Sequence, residues 1–173
     1  MKNLYCPWRS DYVKTALPEK KSGTSVKSCP FCYDSNLATP VQDAQNFVLK
    51  RFKYNFVILN LYPYNAGHLL IIPYKHKKTL AQYNAKIRAE LIEIATISSD
   101  ILQKEFGATG INLGLNLGRA AGAGIPGHLH LHVLPRWVGD TNFLPLLAET
   151  KTISFDLNKI YRDLLPKFQE IKL

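Results

Sequence analysis

The stretch GHLHLHVLPRW, residues 127–137, carries three of the chain's five histidines on alternate positions. Side chains of an extended strand point alternately to its two faces, so His128, His130 and His132 share one face and Leu129, Leu131 and Val133 share the other. The apolar face is expected to meet a core. The histidine face is then a surface set aside for chemistry, with neighbours about 7 Å apart at twice the rise per residue. Two chemistries use such a row. Imidazoles ligate zinc, and they also attack or bind phosphate, being neutral and nucleophilic near pH 7 yet able to carry charge beside an anion. The loop just ahead favours phosphate. Gly118, Gly122, Gly124 and Gly127 allow backbone amides to approach an anion, and the Asn116 amide can donate, although glycines at this density also occur in plain turns.

Working outward, the histidine strand is expected to end at Pro135, and INLGLNLG (111–118) reads as a strand before the glycine loop. Over residues 85–106 the period changes. Ile87, Leu91, Ile94, Ile101 and Leu102 recur at steps of three or four, which predicts a helix with one buried face ending before Gly107. Upstream, NFVLKRFK (46–53) and NFVILNL (55–61) suggest an antiparallel pair, YPYNAG (62–67) a turn, and HLLIIPY (68–74) a third strand closed by Pro73. FDLNKIYRDLLPKF (155–168) is expected to be helical until Pro166 breaks it. Strands, one long helix, then strands again favour an α+β domain on an antiparallel sheet over a parallel doubly wound fold. Residues 1–45 carry many breakers and read as an irregular arm, 46–150 as the domain proper, and 151–173 as its C-terminal helical extension.

Length and composition set the class. A chain of 173 residues, 46% hydrophobic and 20% charged, is expected to be one globular domain with a core of its own. No stretch is apolar for the roughly 20 residues a membrane span needs, and MKNLYCPWRSDYV lacks the apolar core of a signal peptide, so the cytoplasm is the expected compartment and no membrane the expected partner. The net charge of +9 is concentrated in LKRFKY (Lys50, Arg51, Lys53) and YKHKK (Lys75, Lys77, Lys78), which suits a polyanionic partner as well as a solvated basic face.

HLHLHVLPRW resembles the His-x-His-x-His signature of the histidine triad family of nucleotide hydrolases and transferases. The resemblance runs from about Asn46 to Trp137, through NLYPYNAGHLLIIPYKH, the long helix and NLGLNLG. With CPWRSDYV, LPRW and GDTNFLP, it is nearest to the bacterial branch related to diadenosine tetraphosphate hydrolases and phosphorylases. It implies that His130 is the nucleophile on an α-phosphorus, that His132 binds the phosphate oxygens, and that His68 is a further active-site histidine. It also places Asn60 at the ribose, a position that reads equally well as a turn residue, and Asn116 as an amide donor near the scissile phosphate. The chain departs from the family in AGAGIPG (121–127), where Gly124 and Ile125 stand in place of the usual Gln-Ser or Gln-Thr hydroxyl. Backbone donors at Gly118 and Gly124 would then carry more of the phosphate contact.

CPFC (29–32) can be a redox pair, a zinc half-site or two small buried residues. Two more ligands would complete a zinc site, and the resemblance points to His76 and His128, making a closed structural tetrahedron that pins the arm onto the catalytic strand. Cys6 and the PWR segment stay unassigned. The expectation is a nucleotide hydrolase or phosphorylase acting at a nucleoside α-phosphate of a dinucleoside polyphosphate, a homodimer with structural zinc, magnesium arriving with the substrate. A nucleoside phosphoramidase or a zinc-stabilised nucleotide-binding module without turnover remain alternatives. Nucleic acid is the poorest candidate partner.

Overall fold

A computed structural model describes residues 29–32, 40–142, 145, 147 and 156–173. Most of the arm, including Cys6 and the PWR segment, lies outside the described residues.

Five antiparallel strands form one sheet: β1 (Val48–Arg51), β2 (Asn55–Leu59), β3 (Leu69–Pro73), β4 (Gly110–Leu115) and β5 (Leu131–Arg136), in the spatial order β1-β2-β3-β5-β4. β2 and β3 are buried on both faces, which explains their unbroken apolar runs. Alternate residues feed two separate apolar clusters. Leu49, Val57, Leu59, Leu69, Ile71, Leu131 and Val133 point to the helical side, whereas Val48, Phe56, Ile58, Leu70 and Ile72 form the opposite face, covered by Cys29, Phe31 and Ile125.

The long helix α1 (Ala85–Phe106) has the span its periodicity predicts. Its start is fixed by the Asn84 side chain, which accepts from the Ile87 amide, and its end by Gly107 at φ 60°, a left-handed cap for which glycine is best suited. Ile87, Leu91, Ile94, Ala95, Ser98 and Leu102 face the sheet. The C-terminal helix α2 (Leu157–Gln169) lies against β1 and α1. Tyr161 Oη donates to Val48 O, Gln169 Nε2 to Leu49 O, and Lys50 Nζ to the Gln169 and Ile171 carbonyls at the helix end.

Two proline expectations are corrected. Pro135 lies inside β5, paired with Ile111, and the strand continues to Arg136. Its carbonyl faces the β2–β3 loop, where Asn65 Nδ2 donates to it, so the N–H that proline lacks points beyond the end of β3 and no ladder bond is lost. Pro166 likewise sits within α2, on its exposed side, where the carbonyl of exposed Arg162, left without a partner, can reach water. The basic surface is also smaller than expected: Arg51 pairs with Asp43 at 2.7 Å, Lys50 caps α2, and Lys77 Nζ donates to Gln82 O.

Candidate active site and metal centre

The three histidines of residues 128–132 project onto the sheet face opposite the helices, since His132 pairs with Leu70 of β3 and Gly114 of β4. They are not on an open surface as the alternation suggested: His128 is 1% exposed and His130 7%. Only His132 lies within β5. The segment before it stays extended alongside the loop after β3, with the Leu129 amide donating to Lys77 O. The rings lean together, with 5.0 Å between the centroids of His130 and His132.

Hydrogen bonds to groups that can only donate or only accept set each tautomer. His128 Nε2 lies 2.7 Å from Pro73 O, so it carries the proton and leaves the Nδ1 lone pair free to ligate. That nitrogen is 3.5 Å from Cys29 Sγ and 3.1 Å from Cys32 Sγ, and His76 Nδ1 is 3.2 Å from Cys32 Sγ. The four donor atoms of Cys29, Cys32, His76 and His128 all lie within 4.8 Å of one another. Two sulfurs and two imidazole nitrogens at this spacing fit a closed tetrahedral centre. Burial first, then the neighbouring Cys32, pushes the Cys29 thiol up to about 12, so a cation would be what draws off its proton, whereas burial brings His128 down to about 4 and keeps it neutral, the form that ligates. CPFC does not form a disulfide; both cysteines are free thiols.

His130 Nδ1 lies 2.9 Å from His128 O and must donate to it, which leaves Nε2 unprotonated with its lone pair outward. Burial lowers its pKa, favouring this neutral form. His68, at the start of β3, receives two donors at Nδ1: the Tyr64 amide at 3.1 Å and Asn60 Nδ2 at 3.2 Å. Its proton therefore sits on Nε2, which donates to His132 Nδ1 at 2.9 Å, and His132 becomes an Nε2–H donor. Burial first, then the neighbouring His132 and His130, bring His68 down to about 3, so it is neutral at any ordinary pH.

Asn60 thus bonds inward to His68 as well as accepting from the Tyr62 amide at 3.0 Å. Asn116 is half-buried one residue past β4, and extending the register Leu115↔Leu131 sets it across from His130. Gly118 and Gly122 have φ of 86° and 84°, a conformation that favours glycine, and flank a short turn over Arg119–Ala121. The Gly122 amide donates within that turn to Arg119 O, so it is not one of the open donors the glycine density suggested. Gly124 lies in the bend that follows, and Ile125 packs into the apolar cluster beside Cys32.

Three further residues lie near the site through contacts that no sequence spacing shows. Tyr64 covers the histidine pair, its ring 4.8 Å from His68 and stacked at 17° on His132. Asn65 and Asp140 join across 75 positions of chain, with 2.8 Å between Nδ2 and Oδ2.

Residues 41–138 match the family model described as the HIT domain. The chain belongs to the histidine triad (HIT) family. This HIT protein is 34% identical over 154 residues to an AP-4-A phosphorylase of Mycobacterium tuberculosis, an alignment covering 88% of this chain and 77% of that one. It is 30% identical over 93 residues to the asymmetrical bis(5'-nucleosyl)-tetraphosphatase of Schizosaccharomyces pombe, covering 54% of this chain and 50% of that one. Among solved structures, a Zn-bound histidine triad family protein from Mycobacterium smegmatis superposes with a TM-score of 0.66 at 24% identity, covering 84% of this chain and 96% of that one. The HIT fold accounts for the α+β architecture, the antiparallel sheet and the long helix together. No helix among the described residues is long and apolar enough to cross a membrane.

Proposed function

We propose that this HIT protein is an enzyme of dinucleoside polyphosphate metabolism that cleaves its substrate at a nucleoside α-phosphate through a nucleotidyl-histidine on His130. The observation that carries the reading is the tautomer of His130. Its Nδ1–H is held by the His128 carbonyl, so Nε2 presents a lone pair to the site without any prior proton transfer. In the first in-line step Nε2 forms a bond to the α-phosphorus as the bond to the bridging oxygen breaks, and the nucleoside polyphosphate leaves with that electron pair. The imidazolium formed keeps its Nδ1–H against the carbonyl, which disperses the new charge. His132, made a donor by His68, stabilises the phosphate oxygens from Nε2–H. In the second step water or inorganic phosphate attacks the same phosphorus and His130 departs as the neutral base. Water yields AMP and ATP from diadenosine tetraphosphate; phosphate yields ADP and ATP.

Asn60 would reach the ribose from beside His68, and Asn116 would donate to the scissile phosphate, with Gly118 and Gly124 offering backbone amides. Without a side-chain hydroxyl at Gly124 or Ile125, no protein hydroxyl from that turn assists the leaving group. This favours leaving groups that are already good, as a nucleoside polyphosphate is. The kinship with a phosphorylase supports phosphate as acceptor.

Zinc would be held by Cys29, Cys32, His76 and His128, where two thiolates neutralise the dication and the closed set leaves no position for substrate. Its work is structural, and magnesium would travel with the polyphosphate. Two reduced thiols suit the cytoplasm. A homodimer would form through β4, an edge strand of the sheet with exposed Leu113, and through the long helix α1 with exposed Ile92.

Incubation with diadenosine tetraphosphate, with and without inorganic phosphate, tests the reaction. ADP and ATP appearing only with phosphate, or AMP and ATP in its absence, are the expected products. His130→Ala should lower kcat by about three orders of magnitude or more while nucleotide affinity survives. Turnover retained in that variant would disprove the mechanism.

A further inference from the structure

The turn that delivers His68 is built by residues 64–68, and its geometry has an anchor outside the catalytic strand. The Asn65 carbonyl accepts from the His68 amide at 3.2 Å, and position 67 suits glycine because its φ is 71° and a Cβ there would lie 3.1 Å from Leu102 Cδ2. The Asn65 side chain is buried, and its two amide protons are spent on Pro135 O at 2.9 Å and Asp140 Oδ2 at 2.8 Å. Asp140 is the hub. Its carboxylate is 8% exposed and also accepts from Arg136 Nε at 2.6 Å, Arg136 Nη2 at 3.1 Å, the Trp137 amide at 3.3 Å and Thr141 Oγ1 at 3.2 Å. Arg136 in turn donates to Asn112 Oδ1 on β4 at 2.8 Å.

We propose that Asp140 is a positioning residue of the reaction, holding the His68 turn through Asn65 so that His68 Nε2–H stays aimed at His132 Nδ1. The inference rests on the phosphoryl-transfer reading of the site only for its kinetic consequence. A histidine pair 2.9 Å apart works as a fixed donor and acceptor only while both backbones are held. His132 is held by strand pairing on both sides, to Leu70 and to Gly114. His68 precedes β3 and is paired on one side alone, its carbonyl accepting from the Asn60 amide at 2.9 Å, while its own amide and its Nδ1 are tied to the turn and to the Asn60 side chain. The latch from Asp140 to Asn65 supplies restraint on the β5 side, where the ladder starts only at Leu69. The Asp140 side chain suits that task because the oxygen that accepts from Asn65 also accepts from Arg136 Nε and the Trp137 amide, which fix its own position. Asp140 touches no reacting atom; it acts through Asn65 and the turn.

The test compares Asp140→Ala with Asp140→Asn, whose amide oxygen can still accept from Asn65 Nδ2. Steady-state kinetics on diadenosine tetraphosphate and ¹⁵N spectra of the histidine rings are the readouts. Asp140→Ala should lower kcat by about tenfold to a hundredfold with KM changed by less than about threefold. Its His132 nitrogens should move from one tautomer to a mixture of two, and Asp140→Asn should restore most of the rate and the single tautomer. If Asp140→Ala does not fold, Asn65→Ser breaks the same link from the other side and should give the same split. Folded Asp140→Ala with wild-type kcat or an unchanged His132 spectrum overturns the proposal, as does a loss of rate that Asp140→Asn fails to restore. The spectra need no substrate, so a wild-type protein inert towards nucleotides would refute the proposed reaction while the ring signals still decide on the latch.

Discussion

Protonation is where the site's residues have least freedom. A histidine with folded pKa near 3 stays neutral while its unfolded counterpart titrates at about 6.5. Its contribution to stability is therefore complete above pH 6.5 and is lost as the pH falls towards 3, by about 1.4 kcal/mol per pH unit for this one group. Urea unfolding from pH 7 to 4 should show the wild type losing that much more per unit than His68→Gln; equal slopes would mean that His68 is not buried neutral. Much of the residue-level chemistry was legible in the sequence, because His128, His130, His132 and the CPFC cysteines announce themselves by spacing. Which ring nitrogen carries each proton was not, because it depends on carbonyls and amides from other elements: Pro73 O for His128 and the Tyr64 amide for His68. Tyr64, Asn65 and Asp140 were missed for the same reason. A hydrogen bond between residues 75 positions apart has no local pattern.

At the scale of elements, loops do as much positioning as strands. The loop after β3 carries His76, and Tyr83 ties it down: its hydroxyl lies 2.6 Å from Lys75 O and 2.9 Å from Lys77 O, and accepts from the Lys77 amide at 3.2 Å. Tyr83→Phe keeps the buried ring and removes that tie, so zinc affinity measured by chelator competition should fall about tenfold to a hundredfold. Unchanged affinity would show the loop to be held by its ligand alone. α1 was read to its ends from sequence because periodicity and both caps agree. The prolines were misread because their cost depends on where the missing N–H would point. At Pro135 it points past the end of β3, and at Pro166 it points at the carbonyl of exposed Arg162, neither of which a local rule can see.

For the whole molecule, the sheet separates two tasks: helices and the larger core lie on one side, and the histidines, the metal ligands and the smaller cluster on the other. His128 joins the two functional sites, giving its ring to the metal cluster and its carbonyl to His130. Alternation along residues 128–132 foretold that the histidines share a face, but not that this face is covered, since the ring that packs on His128 and His130 is Phe31, far away in sequence. At the far edge, Leu113 is 51% exposed on a strand with one side unpaired within the sheet. Leu113→Lys should convert the proposed homodimer to a monomer in sedimentation velocity; a wild type that sediments as a monomer would remove the dimer from the account.

The central claim is the covalent role of His130, and it is tested most directly by trapping the intermediate in base, where a bond from phosphorus to imidazole survives. Wild-type protein mixed rapidly with diadenosine tetraphosphate, quenched in base to preserve a phosphoramidate and mapped by mass spectrometry should carry an adenylyl group on the peptide containing His130. The label should be absent from His130→Ala. Turnover without any labelled histidine, or a label at His68 or His132 instead, would contradict the account.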